Sequence, residues 1–164
     1  MTSPRFAELL RLLAEHDVEF IVVGMLAGVI QGAPLTTGDV DIVHRRTPEN
    51  VQRLLEVLRR VNAVARHDQR RLVPGESHLM GSGHILLEST FGDLDCLCTI
   101  DDGKGYEDLL GSTVRIELGD GLATLALRLD ALIEIKRRAG RPKDIAAIPV
   151  LESTWAELGR APKT

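Results

Sequence analysis

The chain has 164 residues, 44% of them hydrophobic and 27% charged, which suits one compact domain with its own core and is short for two. No apolar run approaches the roughly 20 residues that cross a bilayer, and the start, MTSPRFAELLRLLAEHD, turns charged too soon for a secretory signal, so a cytoplasmic location and no membrane partner are expected. A net charge of -4 and 3% aromatic residues argue against a whole-molecule attraction for nucleic acid and against the stacking platforms of a single-strand binder.

In chain order, Phe6, Leu9, Leu10, Leu12 and Leu13 recur at helical spacing and predict an amphipathic helix over 5–16. VEFIVVG, residues 18–24, is a β-branched and aromatic run stopped by Gly24, the pattern of a buried strand. A short helix on MLAGVIQG, ending at Gly32, and a loop on APLTTG lead into a second strand, DVDIV. Thr47 as N-cap and Pro48 at the first helical position predict a helix over 48–61. Residues 66–83 are polar and punctuated by glycine, and read as the longest irregular stretch. HILLEST and LDCLCTI, separated by Phe91-Gly92-Asp93, read as a β-hairpin with Asp93 serving its turn. Cys96 and Cys98 are expected on opposite faces of that strand, as reduced packing residues. VRIEL and LATLAL follow as shorter strands, then a helix on DALIEIKRRA capped by Gly140, then a last helix from Pro142 toward Leu158. Strands mixed with helices gathered at both ends indicate a single α+β domain over 1–164.

The chemistry concentrates in carboxylates. Asp39 and Asp41 stand two apart in a strand, so both side chains leave the same face. Like charges that close repel unless a cation bridges them, and magnesium takes one or two carboxylates plus phosphate oxygens into its shell. Asp95, at the start of LDCLCTI, is a third candidate. Two divalent ions about 4 Å apart on such acids stabilise both the attacking and the leaving oxygen of a phosphoryl displacement. An Asp-x-Asp is common by itself; what distinguishes this one is its setting among Val40, Ile42 and Val43, downstream of a strand and a glycine turn. His44 is a lesser candidate for contact with substrate, while Tyr106 and Trp155 are expected to pack against the core.

With these residues in hand, 18–43 resembles the nucleotidyltransferase superfamily that includes polymerase beta and small bacterial transferases. VVGMLAG, TTGDVDIV and GDLDCL match, in order, its apolar strand with a glycine turn, its acidic-apolar-acidic strand and its later acid. LIEIKRRAGRPKDIAAI is similar to the end of a bacterial branch related to type IV toxin–antitoxin transferases. The resemblance implies a minimal nucleotidyltransferase fold, a mixed β-sheet flanked by helices. It implies Mg2+-dependent transfer, with Mn2+ as a substitute ion, of a nucleoside monophosphate from a nucleoside triphosphate such as ATP. The acceptor is the hydroxyl of an RNA such as tRNA, of a protein or of a small molecule, and a cognate antitoxin or a second copy of the chain is the implied partner.

Carried over by position, Asp39 and Asp41 resemble the paired metal ligands, and Asp95 the third carboxylate, which can also activate the acceptor hydroxyl. Gly24 matches the turn glycine whose backbone approaches the triphosphate, with Met25 in the second turn position and Thr37 the polar residue ahead of the acidic pair. Lys136, Lys143 and Asp144 match the basic and acidic positions of the tail, the lysines as phosphate contacts; these basic residues equally fit a solvated face that complements a helix dipole. Two positions depart from the pattern. Met25 replaces a Gly or Ser, and Leu35 stands where a basic residue commonly precedes the Thr-x-Asp step. A charge-assisted contact is worth about 1.5–3 kcal/mol, so nucleotide binding is expected to weaken about tenfold or more. These departures support a second reading, a non-catalytic binding partner. A third is an enzyme that nucleotidylates a cationic drug, which an acidic domain would suit.

Overall fold

The computed structural model describes residues 4–160, so 1–3 and 161–164 of the expected 1–164 domain lie outside the described residues. The helices are α1 (Phe6–Glu15), α2 (Gly24–Val29), α3 (Pro48–Arg60), α4 (Glu76–Met80), α5 (Tyr106–Leu109), α6 (Leu129–Ala139) and α7 (Pro142–Arg160). The strands are β1 (Phe20–Val23), β2 (Asp39–His44), β3 (Val64–Ala65), β4 (His84–Ser89), β5 (Gly92–Leu97), β6 (Thr113–Gly119) and β7 (Leu122–Leu127). Among the described residues they form one mixed sheet in the order β3-β4-β5-β2-β1-β7-β6. The architecture is α+β, as the pattern of elements predicts.

Local chemistry accounts for most boundaries. Thr47 caps α3 by accepting from the Asn50 N–H at 3.3 Å, and Pro48 occupies the first turn, where a missing donor costs nothing. Gly140 ends α6 in the left-handed conformation, φ 66°. Leu9, Leu10 and Leu13 of α1 and Val51, Leu54 and Leu58 of α3 form buried stripes, and α1, α3 and α4 pack as one group while α2, α6 and α7 form another.

Three expectations fail for physical reasons. Residues 66–83 are not wholly irregular, since α4 forms at Glu76–Met80 and buries Leu79. The hairpin turn is tighter than expected: Ser89 pairs with Gly92, which puts Asp93 inside β5 rather than in the turn. Cys96 and Cys98 are free, buried thiols, yet alternation puts residues two apart on one strand face, not on opposite faces; Cys98 already lies beyond the end of β5, with Sγ 3.8 Å from the His78 and Leu79 carbonyls.

Candidate active site

Strand register assembles the acids. β2 runs parallel to β5, with Asp39 opposite Asp93 and Asp41 opposite Asp95. All four side chains therefore leave the same face. Val40, Ile42, Leu94 and Cys96 alternate with them and are fully buried on the other face. The row through Asp41 and Asp95 continues to Val23 of β1 on one side and Leu86 of β4 on the other. One carboxylate oxygen each from Asp39, Asp41 and Asp95 lies within 4.8 Å of the others.

Burial first, and then the charges of Asp39 and Asp95, push the Asp41 carboxyl up to about 7. Asp95 is also raised, by burial, against the pull of the Arg66 guanidinium. Hard carboxylate oxygens crowded within 4.8 Å of one another are a donor set that fits a magnesium or manganese ion.

Gly24 brings the backbone against this group. Its φ is +65°, and a side-chain carbon added there would overlap Asp41 Oδ2 and come within 3.1 Å of Asp41 Cβ and Cγ. Gly24→Ala is therefore expected to cost about 1–3 kcal/mol from the left-handed backbone and to push Asp41 out of place. Urea denaturation and a calorimetric Mn2+ titration check both effects; no change in either measurement would refute the steric account.

A cleft of about 690 Å³ opens over the acids, within the range of about 300–1,000 Å³ typical of small-ligand sites. Gly24 and Met25 line it beside the carboxylates, and Lys136, Arg138, Arg141 and Lys143 line it from α6, α7 and their junction. The tail residues divide. Lys136 and Asp144 are buried and bond each other at 3.1 Å, and Arg141 adds a second contact to Asp144 at 2.6 Å. Burial pushes the Asp144 carboxyl up, but hydrogen bonds from Arg141 and Lys136 outweigh it and hold the group below the usual carboxylate range. Lys136 thus does not belong to a solvated face: it lines the cleft with its ammonium paired to Asp144. Lys143 makes no ion pair among the described residues, and its charge is felt at Asp41.

The remaining candidates do not line the cleft. Thr37 lies outside the cleft lining, with its hydroxyl donating to the Asp39 carbonyl at 3.0 Å at the start of β2. Leu35 packs against the core. His44 corrects an expectation: it lies on the face opposite the acids, fully buried, with Nε2 2.7 Å from the Leu79 carbonyl. Tyr106 is buried as expected, whereas Trp155 is 41% exposed and is not a core residue. Nothing in the sequence pattern marks Arg66 or Arg141 as site residues, and Asp93 reads there only as a turn residue. Arg66 follows a strand of two residues, too short for periodicity to reveal.

No protein-family model matches the sequence, and no curated protein matches it. Solved structures do. A nucleotidyltransferase candidate, TM1012 of Thermotoga maritima, is similar at 17% identity and a TM-score of 0.56, over 98% of this chain and 97% of its own. The antibiotic-resistance factor ANT(2'')-Ia is similar at 15% identity and a TM-score of 0.56, over 94% of this chain and 83% of its own. The chain has a nucleotidyltransferase fold. Among the described residues of this nucleotidyltransferase fold, no helix is long and apolar enough to cross a membrane.

Proposed function

We propose that residues 1–164 form a single nucleotidyltransferase domain that moves a nucleoside monophosphate from a nucleoside triphosphate to an acceptor hydroxyl. The observation that carries this reading is the convergence of Asp39, Asp41 and Asp95 within 4.8 Å on one sheet face, under a cleft rimmed by cations. Asp39, Asp41 and Asp95 would hold the magnesium ion, which supplies positive charge to the triphosphate oxygens when bound. The chain's own residues do the rest. Gly24 leaves room for backbone beside Asp41, and Lys143 offers its ammonium to phosphate as a point charge. The acceptor oxygen attacks the α-phosphorus, the bond to the β-phosphate oxygen breaks and pyrophosphate leaves. Asp95 takes the hydroxyl proton.

RNA, protein and small-molecule hydroxyls all fit this chemistry. The fold likeness to an antibiotic-resistance factor favours including the small molecule. A second reading, a nucleotide-fold binding partner of a toxin–antitoxin pair, is motivated by Met25 in the cleft lining and by Leu35, packed against the core, where the resemblance implies a cation. Incubation with labelled nucleoside triphosphates and magnesium, against an Asp39→Ala/Asp41→Ala control, separates them. Pyrophosphate release lost in the control supports the enzyme; triphosphate binding without release supports the partner; neither binding nor release rejects the site.

A further inference from the structure

Arg66 stands outside the acid set, yet register aims it there. Its N–H donates to the Leu86 carbonyl at 2.9 Å, next to the β3–β4 pairing of Ala65 with Leu87, and Leu86 lies opposite Asp95. Arg66, Leu86, Asp95 and Asp41 therefore form one row across the sheet, on the face of the cleft. Two strand spacings separate Arg66 from Asp95, about 10 Å, and the long arginine stem crosses them. Its two terminal nitrogens then part: Nη2 lies 2.7 Å from Asp95 Oδ1 and Nη1 lies 3.1 Å from Asp93 Oδ2. The side chain is only 13% exposed. A loop anchor needs neither that burial nor a fork spread over two acids of the candidate site, and exposed pairs contribute little.

We propose that Arg66 is a fixed counter-cation of the site. Its guanidinium holds the side of Asp95 that a second divalent ion would otherwise take, so the free protein binds one ion among Asp39, Asp41 and Asp95 and not two. Arg66 is a positioning residue: it touches Asp95 and need not touch substrate. The inference rests on the metal-binding reading given above and adds the ion count and its cause.

The test is a Mn2+ titration of the full chain without nucleotide, following free Mn2+ by electron paramagnetic resonance, on wild type, Arg66→Gln, Arg66→Met and Arg66→Lys. Wild type is expected to take one ion. Arg66→Gln, or Arg66→Met if the first does not fold, is expected to take a second at least about tenfold more tightly than wild type does, the scale of one charge-assisted contact. Arg66→Lys, which keeps the charge, is expected to behave as wild type. Two ions in wild type would overturn the proposal whatever the variants do, as would an unchanged or weakened titration in folded Arg66→Gln or Arg66→Met. A wild type that takes no ion would instead remove the metal-binding reading itself.

Discussion

Asp41→Asn is expected to abolish transfer and, at the same time, to stabilise the metal-free protein above neutral pH. Removing a ligand that collects charge at the reacting phosphate forfeits several kcal/mol, about 10³-fold or more in rate. The stability effect has the opposite sign. Asp41 titrates near 7 in the folded chain against an ordinary value near 3.8, because burial and then Asp39 and Asp95 penalise its charge. A carboxyl raised in this way contributes stability that is complete below about pH 4 and is lost as pH rises toward and past 7. A shift of this size corresponds to roughly 4 kcal/mol. Asparagine cannot ionise and keeps that stability. Urea denaturation of both proteins in chelator should therefore show no gap near pH 4 and a gap of that order at pH 8, with the variant more stable. Added magnesium should narrow the gap by stabilising wild type alone. Equal stability at pH 8 would mean that the acids do not crowd one another as described.

Asp144→Ala is expected to be strongly destabilising. It would leave the Lys136 ammonium, on a side chain only 8% exposed, without its partner 3.1 Å away, and breaking one side of a buried pair costs about 3–5 kcal/mol. Replacing both partners by apolar residues removes the stranded charge, so Lys136→Met/Asp144→Leu should recover most of the loss. Chemical denaturation of the three proteins measures it. A loss under about 1 kcal/mol would place Lys136 in water, as exposed pairs contribute at most about that much. Because the pair joins α6 to α7 at the cleft wall, Asp144→Ala should also loosen the segment that presents Lys143.

Much of the fold was legible in the residues themselves. Thr47-Pro48 marks the start of α3 and Gly140 the end of α6, because capping and left-handed backbone are local chemistry. The β1–turn–β2 unit was legible for a related reason: an apolar run, a glycine and alternating acids each impose a conformation on a few neighbouring residues. Asp93 shows the limit. Its type favours turns, but strand pairing from Ser89 and Gly92 overrides that preference and carries it into β5. His44 shows another: proximity in sequence to Asp41 suggested the site, and an odd separation puts it on the opposite face.

By itself the sequence determined the α+β class, the paired acids on one strand face, and the helix caps, since all of these follow from periods of 2 and 3.6 and from side chains acting on their own backbone. Tertiary structure alone decided that Asp95 joins the pair, that Lys136 and Asp144 neutralise each other, and that Arg66 reaches across two strands to the acids. The reason is that pairing between β2 and β5, and packing between α6 and α7, depend on the joint fit of distant segments, and register across a sheet is set by the whole buried face rather than by any one strand.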